Sequence, residues 1–233
     1  MVKLIHTNAD LSVQVHPDDE YARRVENQFG KTECWYFADE PKNPIVLGHT
    51  ANSKEDISTA IKEGKLEELL KKVAVKKDDF VLINAKTIHA LTSGLLVVEI
   101  QQSSDVTYRL YDYGRLQNGK PRELHIEKSI DVIGCPHQDN TGMDEVTKVA
   151  DAEVKTMVTC PYYTVKKILV KGEAELTKDG AYQLFSVIDG EGTLDGVAVK
   201  KGDHFILPTG YDTFKLAGNM ELMTSYTAEA VNE

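Results

Sequence analysis

Apolar residues fall mostly in short runs separated by turn-forming residues. Leu11–Val15, Cys34–Phe37, Ile45–Leu47, Phe80–Ile83, Leu95–Ile100, Tyr163–Val170, Leu184–Ile188 and Phe205–Leu207 are rich in Val, Ile, Leu, Phe and Tyr, and each has the length of a strand rather than a helix. The first residues alternate, Val2 and Leu4 against Lys3 and Ile5, and read as one more strand. Short strands at this spacing predict an antiparallel sandwich or barrel. One stretch has helical character: Ser53-Lys54-Glu55-Asp56 forms a capping pattern, and Ile57, Ile61, Leu66, Leu69, Leu70 and Val73 follow at helical spacing. Gly64 interrupts it, so two short helices are expected within about 53–73. Asp18-Asp19-Glu20 has the acidic composition that caps a short helix after Pro17.

The pattern repeats. Val73-Ala-Val-Lys-Lys-Asp-Asp79 followed by Phe80–Ile83 returns as Val197-Ala-Val-Lys-Lys-Gly-Asp203 followed by His204–Leu207, an offset of 124 residues. Each copy reads as a strand, a tight turn carrying Asp, and an apolar strand. The polar stretch Gln138–Glu145 is the expected break, giving domains at 1–137 and 146–233. The copies differ chemically, since the shift that superposes them carries His89 onto Thr213.

Composition narrows the class. The 233 residues are 41% hydrophobic and 27% charged, which fits a globular chain long enough for a sizeable core. No apolar run approaches the length of a membrane span. A net charge of −10 with dispersed basic residues argues against nucleic acid or an anionic lipid surface as partner. The beginning of the chain shows no signal-peptide pattern, and Cys34, Cys135 and Cys160 are an odd number without CxxC spacing, so a reducing, cytoplasmic compartment with free thiols is expected. His6, His49, His125, His137 and His204 read as surface or core imidazoles.

The densest polar signal is Ser12-Val-Gln-Val-His-Pro-Asp-Asp19. In a strand Ser12, Gln14 and His16 share one face while Val13 and Val15 take the other. That is either a site-lining face or a solvated one. Gly30-Lys-Thr-Glu33 places Lys31 and Glu33 on one strand face, and Thr87-Ile-His89 sets an imidazole after an apolar strand. His16, Glu33 and His89 with the Gln14 amide make an N/O donor set suited to a borderline dication such as Zn2+.

Ser12-Val-Gln-Val-His-Pro-Asp-Asp19, Gly30-Lys-Thr-Glu-Cys-Trp-Tyr36, Thr87-Ile-His-Ala90 and Glu99-Ile-Gln-Gln-Ser-Ser-Asp-Val-Thr-Tyr-Arg-Leu-Tyr-Asp-Tyr113 together resemble type I mannose-6-phosphate isomerase in its short bacterial form. The likeness continues through Arg122-Glu-Leu-His-Ile-Glu-Lys-Ser-Ile-Asp-Val132 and, more weakly, Lys201-Gly-Asp-His-Phe-Ile-Leu-Pro208. It implies an all-β bicupin: two jelly-roll barrels, the first holding one zinc through Gln14, His16, Glu33 and His89, the second without metal. It also implies interconversion of mannose 6-phosphate and fructose 6-phosphate. Members usually carry roughly 80 residues ahead of the strand that begins here, so the chain resembles a truncated isomerase whose sheet edges would be exposed.

By the same resemblance Arg109 is an active-site arginine. Its guanidinium stays protonated, which suits orientation and charge stabilisation; pairing with Asp112 or Asp105 is the structural alternative. Glu99 is the candidate base, against a purely structural carboxylate paired with Arg109 or a zinc-bound water as base. Ser12, Lys31 and Arg115 are candidates for holding the phosphate, although Ser12 also reads as an ordinary strand hydroxyl and Arg115 as a solvated charge. The expected partner is a small phosphorylated sugar, with the chain a monomer or homodimer. A truncated, non-catalytic sugar-phosphate-binding cupin, or another metal-dependent cupin enzyme such as an iron dioxygenase, is the rival reading.

Overall fold

In the computed structural model, which describes residues 1–139 and 145–227, the chain divides into two units, Met1–Thr141 and Gly142–Glu233. The expected break lies largely in 140–144, outside the described residues. The first unit runs β1 (Val2–His6), β2 (Val13–Val15), α1 (Asp19–Glu26), β3 (Glu33–Phe37), β4 (Ile45–His49), α2 (Lys54–Lys62), α3 (Leu66–Leu69), β5 (Leu70–Val73), β6 (Phe80–Ile83), β7 (His89–Ala90), β8 (Leu96–Gln101), β9 (Tyr108–Tyr111), β10 (Leu116–Gln117), β11 (Lys120–Pro121) and α4 (Ile126–Val132). Its strands form a four-stranded sheet, β1-β8-β3-β6, a five-stranded sheet, β5-β4-β7-β2-β9, and the small hairpin β10-β11.

Alternation sorts the side chains. Trp35, Phe37, Ile83 and Val97 of the first sheet meet Ile45, Leu47 and Val73 of the second in one buried cluster, so the two sheets pack face to face. The outer face of the five-stranded sheet carries Val13, Val15, Val46, Ala90 and Leu110, and Ile57, Leu66 and Val132 of the helices cover it. Ser53 caps α2 through the Asp56 amide, with the Asp56 side chain returning to the Ser53 amide.

The helical expectation over 53–73 needs one correction. Gly64 ends the first helix in the left-handed region (φ +68°), but α3 is a single turn, and Leu70–Val73 form a strand paired with β4, Ile45 opposite Val73. Pairing with a neighbouring strand overrides the local spacing of Leu70 and Val73. Helix α4 was not expected from the apolar spacing; it is packed by Val132 and Ser129, with Ile126 and Ile130 against the same core.

The second unit is β12 (Glu145–Val149), β13 (Ala152–Thr159), β14 (Tyr163–Thr177), β15 (Gln183–Leu194), β16 (Val197–Lys200), β17 (His204–Leu207) and β18 (Thr213–Thr227). The sheet order is β12-β13-β14-β18-β15-β16, with β17 also on β15. Ile168, Val170, Leu176, Phe185, Val187, Leu207, Phe214, Leu216 and Leu222 make its core. Strands β14, β18 and β15 cross at Gly172, Gly218 and Gly192, which sit side by side. A Cβ on Gly218 would lie 2.6 Å from the Gly192 Cα, so the strands approach there only without side chains.

The internal repeat extends to individual hydrogen bonds. The Lys76 amide donates to the Asp79 carboxylate at 2.9 Å, and the Lys200 amide to Asp203 at 2.8 Å. Asp78 and Gly202 occupy the same left-handed place in the turn, at φ 72° and 93°. Leu216→Ala, which empties a fully buried position of the second unit, is expected to lower the unfolding free energy by about 2–5 kcal/mol in urea titration of the full chain.

Candidate active site

Because Val13 and Val15 go into the helix-covered core, Gln14 is turned to the opposite face, and His16 follows just beyond the strand. The ladder sets Gln14 opposite both His89 of β7 and Arg109 of β9, so these three share that face. Glu33 opens β3 in the other sheet. The ligating atoms of His16, Glu33 and His89 lie within 4.8 Å of one another, and all three residues are buried. Glycine helps close the arrangement: at Gly30 a Cβ would lie 2.4 Å from the Asp18 carbonyl carbon, and this close passage lets the Lys31 amide donate to the Pro17 carbonyl at 3.0 Å, beside His16.

Both imidazoles are oriented for coordination. His16 Nδ1 lies 2.8 Å from the Val106 carbonyl oxygen and His89 Nδ1 2.9 Å from that of Thr87. Each Nδ1 therefore donates, which turns Nε2 of both rings toward Glu33, 3.6 Å and 3.3 Å away. The Gln14 amide nitrogen lies 3.4 Å from His89 Nε2, so the end of that side chain reaches the same point.

The charges fit a cation. Burial pushes the His16 imidazole well below its ordinary value, and the Lys31 ammonium, 3.1 Å from Nε2, acts in the same direction, so the ring is neutral, as a metal-binding imidazole must be. Burial alone would raise the Glu33 carboxyl, but its hydrogen-bonding and charged surroundings, His89 foremost and Lys31 with it, outweigh burial and hold the group well below the usual carboxylate range. Lys31 Nζ is 2.7 Å from Glu33 Oε2, yet neither carboxylate oxygen receives an aligned hydrogen bond. Two fully buried carboxylate oxygens without an aligned hydrogen bond, facing the Nε2 atoms of two imidazoles, fit a bound dication that would complete their coordination.

The remaining predicted residues fall into place around this centre. Ser12 is buried to 5% exposure, and among the described residues its hydroxyl has no hydrogen-bond partner. Glu99 lies opposite Trp35, on the same face of the sheet as Glu33; its Oε1 accepts from Lys3 at 2.9 Å and its Oε2 from the Trp35 indole at 3.1 Å. It is not paired with Arg109. That guanidinium donates from Nη1 to the Glu123 carbonyl at 2.8 Å and keeps its buried Nε without a partner. Arg115 is tied to the Asp112 side chain and to the Asp10 carbonyl. The sequence reading missed two contributors. Lys3 shares a strand face with Ile5, which was the available signal. Arg122 is returned to Asp112 by the β10-β11 hairpin, whose Asn118-Gly119 turn has φ 54° and 78°.

Over 233 residues the chain is 44% identical to mannose-6-phosphate isomerase ManA of Bacillus subtilis, covering 97% of this chain and 74% of that protein. The chain belongs to the mannose-6-phosphate isomerase family. It is also 39% identical to the mannose-6-phosphate isomerase of Streptococcus mutans over 236 residues, 98% of this chain and 74% of that one. The family profile described as mannose-6-phosphate isomerase, cupin domain, matches residues 153–227. The crystal structure of the Bacillus subtilis mannose-6-phosphate isomerase superposes with a TM-score of 0.93 at 42% identity, covering 97% and 74% of the two chains. The apo phosphomannose isomerase of Salmonella typhimurium, at 12% identity and a TM-score of 0.72, covering 97% of this chain and 78% of that one, shares the fold. Among the described residues no helix is long and apolar enough to cross a membrane.

Replacing Glu33 by Gln would remove the anionic donor of this cluster. Titration with zinc, followed by metal analysis after gel filtration, is expected to show an affinity loss of more than about a hundredfold with an unchanged far-UV circular dichroism spectrum.

Proposed function

We propose that the chain is a zinc-dependent aldose–ketose isomerase that interconverts mannose 6-phosphate and fructose 6-phosphate through an enediol-type intermediate. The observation that carries the reading is the buried convergence of His16, Glu33 and His89 beside Gln14, in a family whose named members are mannose-6-phosphate isomerases. A zinc ion held by these four residues would act as a Lewis acid, stabilising negative charge as it gathers on the sugar oxygens.

The chain's own groups supply the rest. In the forward direction a proton leaves C2 of the open-chain aldose and returns at C1, while a hydroxyl proton passes from O2 to O1; no oxidant is consumed. Glu99 is the carboxylate assigned to the carbon-bound proton, oriented by the Lys3 ammonium and the Trp35 indole. Arg109, on the face of Gln14 and His89, orients the sugar and offsets the developing charge, a role that suits a group which stays protonated. Lys31 brings a buried positive charge to the same place, and Ser12 with the arginine cluster on Asp112, to which Arg115 belongs, lies toward the phosphate end. We further read each unit as a cupin, the first binding the metal and the second not. The shared Asp79 and Asp203 turns and the cupin-domain match over 153–227 support that reading.

The test combines metal analysis with a coupled assay for fructose 6-phosphate formation. One zinc per chain, turnover abolished by chelation and restored by zinc is the expected result. Stoichiometric zinc with sugar-phosphate binding and no turnover would overturn the enzymatic reading in favour of a binding module. Glu99→Gln is expected to retain zinc and lower kcat by about 10²–10⁴-fold, with a matching loss of deuterium exchange from solvent into the sugar.

A further inference from the structure

Three guanidiniums gather at one end of β9. Asp112, the residue after that strand and only 4% exposed, accepts from Arg122 Nε at 2.7 Å through Oδ2 and from both Arg122 Nη2 and Arg115 Nη2 through Oδ1. Arg122 holds the Asp112 carboxyl below the usual carboxylate range against the opposing effect of burial, with Arg115 adding to it. The Arg109 guanidinium is close enough that, after burial, repulsion from Arg122 is the next cause lowering its pKa. Three buried or half-buried cations thus gather round one buried carboxylate, with Glu123 the second carboxylate acting on Arg109, and the cluster stays net positive in a chain of net charge −10.

Donor accounting separates the two outer arginines. Arg115 is committed on three sides: Nη1 to the Asp10 carbonyl, Nε to the Asp112 carbonyl at 3.3 Å, and Nη2 to the Asp112 side chain. Arg122 spends one edge, Nε with Nη2, on Asp112, and among the described residues its Nη1 has no partner. Its side chain is 30% exposed. Position points the same way. Val13 pairs with Tyr111, so one further step along the ladder sets Asp112 opposite Ser12, whose hydroxyl is itself unpartnered. Ser12 lies two residues, about 7 Å of strand, from Gln14. That is comparable to the reach of an open six-carbon sugar from its carbonyl end to its 6-phosphate.

We propose that Arg122, clamped by Asp112, is the principal phosphate-binding side chain of this site, with the Ser12 hydroxyl beside it and Arg115 serving chiefly to hold Asp112 in place. This rests on the sugar-phosphate reading above and assigns its anion subsite. The free guanidinium edge of Arg122 matches two phosphate oxygens in a bidentate pair, and the net positive charge of the cluster favours an anion there. Asp112 is a positioning residue that fixes this edge and keeps the three cations together.

The experiment compares wild type, Arg122→Ala, Arg122→Lys, Arg115→Ala and Asp112→Asn, all zinc-loaded, by steady-state kinetics and by calorimetric binding of fructose 6-phosphate, unphosphorylated fructose and inorganic phosphate. Arg122→Ala is expected to raise KM and Kd for fructose 6-phosphate about tenfold to a hundredfold, with a much smaller change in kcat and unchanged zinc content. Its weak binding of unphosphorylated fructose is expected to stay as in wild type. Arg122→Lys recovers part of the loss, as a point charge without the bidentate edge, and Asp112→Asn shifts KM in the same direction. Arg115→Ala gives the smaller effect. Wild-type fructose 6-phosphate affinity in Arg122→Ala, or a full loss carried by Arg115→Ala alone, overturns the assignment while leaving the isomerase reading intact. Failure of wild type to bind or turn over any sugar phosphate defeats both. Arg122→Lys and the phosphate titration keep the test decisive if Arg122→Ala does not fold.

Discussion

The first unit is organised around a carboxylate with no exposed surface. Glu33 belongs to the four-stranded sheet, while His89 belongs to the five-stranded sheet and His16 follows a strand of that same sheet, so their meeting ties the two layers together from opposite sides. An ionised carboxylate buried alone would be strongly disfavoured. Here Lys31 and the two imidazoles surround it, and the backbone carbonyls of Val106 and Thr87 fix which nitrogen each ring turns inward. The apolar cluster of Trp35, Phe37, Ile45 and Leu47 provides the packing, and the charged residues above it set how the sheets must register.

From that centre the polar groups extend along the same sheet face in a graded order. Next to the carboxylate are two imidazoles, the Gln14 amide and a single ammonium; opposite Gln14 stands Arg109; beyond Ser12 stands the arginine cluster on Asp112. Positive charge therefore rises with distance from the His16–Glu33–His89 cluster. A phosphorylated sugar has the complementary order, neutral hydroxyls and a carbonyl at one end and a dianion at the other. The second unit is built differently, with long strands pinched at three adjacent glycines, although the turn at Asp203 repeats the one at Asp79 in its hydrogen bonds.

Local periodicity carried far where one residue's neighbours in sequence are also its neighbours in space. The run Phe80–Ile83 is β6 from end to end, and Ser53 caps the helix its motif announces. Strand lengths were much less legible. Tyr163–Val170 continues as β14 to Thr177 through Lys171-Gly172-Glu173, a stretch that by itself looks like a turn. Only pairing of Gly172 with Gly218 keeps it extended.

The sequence alone determined the β-rich architecture, the repeated turn, and the candidate donors Gln14, His16, Glu33 and His89, because strand alternation assigns faces and residue chemistry assigns donor types. The tertiary structure decided which donors meet. His16, Glu33 and His89 come within coordination reach of one another, Glu99 turns to Lys3 and Trp35 rather than to Arg109, and Arg122 returns to Asp112. These contacts join residues from 10 to 96 positions apart. No local pattern encodes them, since each depends on the register of the sheets and on the space their cores leave between them.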